Sequence, residues 1–140
     1  MTGKCRVLIA EDNDVFGFTI RDYLEDFDFH VTLVKHVEGL KEHAHEADVI
    51  IVDVRLPLKD REPVKGQDGI NAAADLVKKQ IISPKVPVIF ISVLGEDESG
   101  CQEELKKALL QPDRYCWLQK PIEMELLKKR IGDQLANLNR

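Results

Sequence analysis

Short apolar runs alternate with longer amphipathic segments along the whole chain, and this alternation constrains the fold more than any other feature. The apolar runs are rich in Val and Ile with little polar alternation, which is typical of parallel strands buried on both faces. The alternation of strands and helices predicts an α/β fold. The five predicted strands are Cys5–Ala10, His30–Val34, Val49–Val52, Val86–Ile91 and Tyr115–Leu118.

Helical periodicity fills the segments between these strands. In the first segment, apolar residues recur every three or four positions after Asn13 and Asp14, either of which can cap a helix start. Five helices are predicted, over residues 14–26, 37–46, 68–80, 97–110 and 122–138. The last carries a Leu and Ile stripe that we expect to pack on the sheet rather than to extend into a coiled coil.

The composition predicts one soluble globular domain over residues 1–140. The chain has 25 acidic and 20 basic side chains, a formal net charge of −5, and 44% hydrophobic residues. This balance, with no run of Lys and Arg longer than three residues, argues against nucleic acid or an anionic membrane as the main ligand. The spacing of Cys5, Cys101 and Cys116 fits neither a disulfide framework nor a zinc site. With no signal-peptide pattern, we expect a cytoplasmic location.

Residues 55–66 interrupt the alternation of strands and helices. The segment has two prolines, several charged residues and no periodicity, so we predict a loop of about a dozen residues. Loops of this length are often functional. A mobile cover or partner contact is one interpretation of this loop, and an inert insertion is the other.

Polar side chains stand where four of the predicted strands end. In an open parallel sheet, ligands bind in the crevice beyond the carboxyl ends of the strands. Taken singly, each polar residue has a structural explanation, such as a helix cap, a turn residue or a solvated end. Together they would bring complementary groups into one crevice. These residues are Glu11, Asp12, Asp53, Ser92 and Lys120.

The charges of these groups predict a metal and a phosphate ligand. Three carboxylates within several Å repel one another, by about 4 kcal/mol per pair at 4 Å and an effective dielectric constant of 20. Lys120 compensates one charge, and a divalent cation would balance the rest. Oxygen ligands favour Mg²⁺ or Mn²⁺, which readily accepts a phosphate oxygen as a further ligand. Asp53 is then a candidate nucleophile that forms an aspartyl phosphate, with Lys120 and Ser92 stabilising the added oxygens.

Four short motifs carry these residues: Glu11-Asp12-Asn13, Asp53 closing Val-Ile-Ile-Val-Asp with Leu56-Pro57 behind it, Ser92 closing Val-Ile-Phe-Ile-Ser, and Lys120-Pro121. The joint pattern, which covers nearly the whole chain, resembles the receiver domain of two-component response regulators, the CheY-like family. The resemblance implies a flavodoxin-like three-layer αβα fold. Its five-stranded parallel sheet would have the strand order 2-1-3-4-5, with five helices.

The resemblance also implies a phosphorelay function. A histidine kinase or a histidine phosphotransfer protein would transfer a phosphoryl group to Asp53 in a reaction that requires Mg²⁺ or Mn²⁺. Glu11, Asp12 and Asp53 would hold the metal together with the backbone carbonyl of Arg55. Such a domain catalyses its own phosphorylation and slow dephosphorylation but is not an enzyme with an external substrate.

For the output, the resemblance implies a switch made of the hydroxyl of Ser92 and the aromatic ring of Trp117. The switched surface would be read by a downstream effector protein or domain. Direct binding to nucleic acid or to a membrane is not expected of this domain, and a homodimer is compatible with the sequence. The peptide bond after the site lysine aims that side chain in the family, so we predict a cis Lys120-Pro121 bond.

Three features depart from the family pattern. Val93 stands where a small residue is usual, the 55–66 loop is longer than usual, and Trp117 replaces Tyr or Phe. Because an indole needs more space to swing inward beside Val93, the switch is either partial or uses the loop after Ser92. In the second case, phosphorylation displaces residues 93–100 while Trp117 keeps its rotamer. These departures bear on rate and coupling, since every required chemical group is present.

Two other functions remain open at this point. An aspartate-based phosphohydrolase has a similar site but usually carries a second Asp two residues after the nucleophile, where this chain has Arg55. A phosphorylation-independent interaction module is the other alternative, and the presence of every site group argues against it.

Overall fold

Five parallel strands form one sheet in the order β2-β1-β3-β4-β5 in the computed structural model, which describes residues 4–59, 68–94 and 114–138. The strands are β1 (Arg6–Ala10), β2 (His30–Val34), β3 (Val49–Asp53), β4 (Val88–Ser92) and β5 (Tyr115–Gln119). The helices within the described residues are α1 (Asp14–Glu25), α2 (Val37–His43), α3 (Asp68–Lys78) and α4 (Met124–Leu138). A short 3₁₀ turn, Ala44–Glu46, follows α2.

This architecture confirms the predicted flavodoxin-like fold and strand order. The predicted helix at 97–110 lies outside the described residues. The part of the chain that the structure describes contains no helix long and apolar enough to cross a membrane.

Helices cover both faces of the sheet, so the core has two halves. On one face α2 and α3 pack against the sheet around Leu40, Leu76 and Phe90. On the other face α1 and α4 pack around Ile20 and Ile131. The stripe of α4 therefore docks on its own sheet, as the sequence predicts.

The expectation that all strands are buried on both faces is wrong for the two edges. Every residue of β3 and β4 is buried, whereas β2 is half-buried with an exposed first residue, and β5 is largely half-buried. An edge strand has a neighbour on one side only, and its apolar composition does not reveal that position.

The parallel register brings the carboxyl ends of the strands to one edge of the sheet. Ala10 pairs with Val52, Asp53 with Ile91, and Ser92 with Gln119. The residues that follow β1 and β5 therefore lie beside the ends of β3 and β4. The pairing of the strands therefore brings the predicted polar groups together.

The first residues of the 55–66 loop pack against the protein and the start of α2. Leu56 is buried, and the first amides of α2 donate hydrogen bonds to the loop, Val37 N to the carbonyl of Pro57 at 2.8 Å and Glu38 N to that of Leu58 at 3.1 Å. These bonds satisfy N–H groups that a helix start leaves unpaired. Residues 60–67, where the prediction of a mobile cover also falls, lie outside the described residues.

Candidate functional site

The ammonium of Lys120 bridges two buried carboxylates at the carboxyl edge of the sheet. Its Nζ lies 3.1 and 3.2 Å from the two carboxyl oxygens of Glu11 and 3.2 Å from Oδ2 of Asp53. Both acids are buried, and the Lys120 side chain is only 19% exposed. Charged hydrogen bonds in such a dry setting are stronger than those on the surface. Residues that end or follow β1, β3 and β5 thus form one charged cluster.

Backbone amides also donate hydrogen bonds to these two acids. Arg55 N donates to Oδ1 of Asp53 at 3.0 Å, and Asn13 N donates to Oε1 of Glu11 at 3.2 Å. Each amide lies two residues beyond the acid that accepts from it, and for Asp53 this is the arrangement of an Asx turn. The Asp53 carboxylate is therefore oriented by Arg55 on one oxygen and by Lys120 on the other.

Three carboxylates converge on one point beside Lys120. One oxygen from each of Glu11, Asp12 and Asp53 lies within 4.8 Å of the others, and Asp12 is exposed to solvent. Among the described residues this is the only such group of acidic, His or Cys ligands. A donor set made only of carboxylates, open to water on one side, fits a hard divalent cation such as Mg²⁺ or Mn²⁺.

The electrostatics of Glu11 also fit a cation. Burial and the nearby charge of Asp53 raise the pKa of Glu11 to about 8, although the contact with Lys120 opposes this shift. The same two carboxylates raise the pKa of Lys120, against the effect of its own burial. The ammonium of Lys120 alone therefore does not keep the pKa of Glu11 at its ordinary value. A second positive charge would favour the ionised form of Glu11.

A crevice opens over this cluster, lined by Asp12, Asp53, Arg55, Ser92, Val93 and Lys120. Ser92 is buried, and its Oγ accepts a hydrogen bond from Leu94 N at 3.1 Å. Five of the predicted site residues therefore line one crevice, and Glu11 contacts it through Lys120. Val93 is 63% exposed at its mouth.

Trp117 lies away from the crevice lining and contacts the segment that follows Ser92. Its Nε1 donates to the carbonyl of Leu94 at 2.9 Å, and Gln119 Nε2 donates to that of Val93 at 3.1 Å. The Lys120–Pro121 peptide bond is cis, as predicted. Two side chains of β5 thus hold the backbone just after the end of β4.

Two further residues lie near the site, and the sequence analysis did not place either of them there. Gly69, at the start of α3, lies so close to the end of β3 that a Cβ built on it would be 2.0 Å from the carbonyl oxygen of Asp53. The ring of Phe16 on α1 has its centroid 4.9 Å from Nζ of Lys120. Apolar periodicity predicted Phe16 as a helix core residue. The glycine after Asp68 was a possible signal, since a close backbone approach requires glycine.

The fold and the acidic crevice define a receiver domain. The response regulator receiver domain family matches residues 7–132, so the chain belongs to this family. Receiver domains are phosphoacceptors of two-component signalling rather than enzymes that act on external substrates, and they hold Mg²⁺ in this acidic pocket.

Relatives of known sequence agree with this assignment. The 3',5'-cyclic-nucleotide phosphodiesterase regA of Dictyostelium discoideum is 28% identical over 139 residues, which cover 96% of this chain and 16% of that protein. A cyclic di-GMP phosphodiesterase of Thermotoga maritima is 30% identical over 131 residues, covering 94% of this chain and 31% of that protein. The chain thus spans less than a third of the length of these curated relatives.

A solved structure shows the same fold. The CheY-like receiver domain protein of Methanospirillum hungatei superposes with a TM-score of 0.74 at 16% identity, covering 98% of both chains.

Proposed function

We propose that Asp53 is the phosphoacceptor of a histidine-aspartate phosphorelay. The observation that carries this proposal is the contact of Lys120 with Asp53 and Glu11, with the Asp12 carboxylate close enough to share a cation with both acids. Asp53 lines the crevice together with Asp12 and Lys120, so we propose that a phosphoryl donor approaches Asp53 from there. We further propose that residues 1–140 form a single receiver domain.

In the phosphorylation step, an oxygen of the Asp53 carboxylate attacks the phosphorus of the donor. A P–O bond to Asp53 forms, and the P–N bond of a phosphohistidine breaks, with its electron pair leaving on the imidazole. With an acyl phosphate donor, a P–O bond breaks and the pair leaves on the carboxylate. Glu11, Asp12, Asp53 and the Arg55 carbonyl would hold Mg²⁺ or Mn²⁺, which when bound neutralises charge on the phosphoryl oxygens.

Lys120 and Ser92 supply the remaining stabilisation. The ammonium of Lys120 already contacts Asp53 and can turn to a phosphoryl oxygen as the acyl phosphate forms. The Ser92 hydroxyl lines the same crevice and accepts from Leu94 N, which leaves its own proton free to be donated. Slow dephosphorylation is the attack of water on the same phosphorus, which releases inorganic phosphate and restores the carboxylate.

The structure at Ser92 supports a switched output. Phosphorylation would draw the hydroxyl toward the phosphoryl group, and the backbone after Ser92 is tied to Trp117 through Leu94. We propose a histidine kinase or phosphotransfer protein as donor, a downstream effector protein or domain as reader, and a cytoplasmic location. Nucleic acid and membrane are not expected ligands, and a homodimer stays compatible with the fold.

Intact-mass spectrometry tests the acceptor. After incubation with Mg²⁺ and acetyl phosphate, the chain should gain one phosphoryl group, and Asp53→Asn should gain none. Asp48→Asn is the matched control. Asp48 comes just before the first residue of β3, at the other end of the strand from Asp53, and pairs with Arg6 on the surface. An adduct that persists in Asp53→Asn would refute the assignment.

A further inference from the structure

The ring of Phe16 is the third group around the ammonium of Lys120. Phe16 is half-buried on the face of α1 that packs against the sheet. Its ring centroid lies 4.9 Å from Lys120 Nζ, within the range of a cation–π contact. The Asn13 side chain accepts from Phe16 N at 3.0 Å and so fixes the start of the helix that carries the ring. The ring is thus held by both its backbone and its packing.

The other two contacts of Lys120 change during the proposed reaction. The Asp53 carboxylate becomes an acyl phosphate, so that its negative charge is replaced by charge on the phosphoryl oxygens, and Glu11 belongs to the proposed metal ligands. The aromatic face stays the same in every state. It also places no directional demand on the N–H donors, so the ammonium can turn from Asp53 to a phosphoryl oxygen without leaving the ring.

We propose that Phe16 is a positioning residue for Lys120, which keeps the ammonium at the reacting end of Asp53 while its ionic partners change. This inference rests on the proposed function of Asp53 and Lys120. According to this inference, the ring of Phe16 on α1 contributes to the phosphorylation rate.

Fluorination of the ring tests this role with little change of volume. Mono-, di- and trifluorophenylalanine at position 16 progressively weaken the negative face of the ring. The rate of phosphorylation by acetyl phosphate should decrease stepwise, to about 3- to 10-fold below wild type for the trifluoro variant. Phe16→Leu should show a similar loss, and Phe16→Tyr should keep most of the rate.

Phe18 provides the matched control on the same helix. Its ring is exposed, and the ring centroid lies 4.8 Å from Cζ of Arg21. Phe18 therefore contacts a different cation from the one that Phe16 contacts. Fluorination at position 18 should leave the rate with acetyl phosphate unchanged.

A second measurement does not depend on phosphorylation. The ε-methylene protons of Lys120 should show an upfield ring-current shift by NMR in the unphosphorylated protein, and Phe16→Leu should abolish it. Rates that do not respond to fluorination, in a protein that is phosphorylated normally on Asp53, would overturn the role of Phe16 and leave the proposed function intact. A wild-type protein that takes up no phosphoryl group would overturn both.

Discussion

The indole Nε1 of Trp117 donates a 2.9 Å hydrogen bond to the carbonyl of Leu94, so the aromatic residue of β5 is joined directly to the segment that follows Ser92. The ring also lies 6.1 Å from that of Phe90 in β4, tilted by 39°. A Tyr or Phe at position 117 has no donor at the place of the indole N–H. In this chain, movement of the segment after Ser92 must either break this bond or carry Trp117 with it.

Loss of this bond should loosen the backbone after β4. In Trp117→Phe, we expect the amides of Val93 and Leu94 to exchange with deuterium about fivefold faster, because a hydrogen bond contributes about 1 kcal/mol. Hydrogen exchange followed by NMR measures this, with the amide of Ile20 in α1 as an internal control. Gln119→Ala, which removes the bond to Val93, should have a similar effect. Unchanged exchange at both amides would show that these bonds do not hold the segment.

Much of the fold follows from the sequence because its signals are local. Strands appear as short apolar runs and helices as apolar periodicity, and a parallel register then places Asp53 and Lys120 at one edge of the sheet. The contact of Phe16 with Lys120 joins residues more than a hundred positions apart. Its geometry depends on the rotation of α1 about its own axis. Apolar periodicity shows which face of the helix packs on the sheet, but it does not give that rotation precisely.

Helix starts show the same limit. Asn13 caps α1, as its residue type predicts. His36 caps α2 through Nδ1, which accepts from Gly39 N at 3.0 Å, and the helix start also uses the carbonyls of Pro57 and Leu58. Histidine is rare as a helix cap, so the residue type at position 36 does not predict this role. The residues around α2 in the sequence also do not reveal that carbonyls of a distant loop accept from its first amides.

The carboxylates should couple stability to a divalent cation. Mg²⁺ at 100 times its dissociation constant should raise the free energy of unfolding by about 2.7 kcal/mol, and Asp12→Asn should strongly reduce this gain. Urea unfolding with and without Mg²⁺ measures the effect. Mg²⁺-dependent quenching of Trp117 fluorescence should weaken in parallel.

Asp14→Asn is the control for this measurement, because Asp14 is an exposed acid two residues away that pairs with Lys35. It should respond to Mg²⁺ as the wild type does. An equal gain in Asp12→Asn would remove Asp12 from the ligand set.

The raised pKa of Glu11 should make stability depend on pH in the absence of metal. Its pKa is about 8 in the folded protein and has an ordinary value of 4.5. Between these values the folded state keeps a proton that the unfolded chain has released, so the free energy of unfolding should decrease as pH rises. One proton limits the slope to about 1.4 kcal/mol per pH unit. The pKa of Lys120 is also raised, from 10.5, so its contribution is lost only at higher pH.

Urea unfolding in EDTA at several pH values between 5 and 8 measures this slope. Glu11→Gln, which mimics the protonated side chain, should flatten it, whereas Glu42→Gln on the exposed side of α2 should not. Equal slopes in the wild type and Glu11→Gln would contradict the prediction.

Gly69 should be required for the position of Asp53. A Cβ at this residue would lie 2.0 Å from the Asp53 carbonyl oxygen and 3.0 Å from that of Val54, which accepts from Gly69 N. In Gly69→Ala, either α3 or the end of β3 must therefore move. We expect a loss of about 1–3 kcal/mol in the free energy of unfolding, as for other overpacked sites, together with slower phosphorylation by acetyl phosphate.

Gly132→Ala on α4 is the matched control, because a Cβ there has no atom within 4 Å. This substitution should raise stability by about 0.5–1 kcal/mol through helix propensity and leave the phosphorylation rate unchanged. If Gly69→Ala were as stable and as reactive as Gly132→Ala, the close approach of α3 to Asp53 would not constrain the site. A lower rate at full stability would instead show that the strand end has moved to admit the methyl group, which places the effect on the acceptor itself.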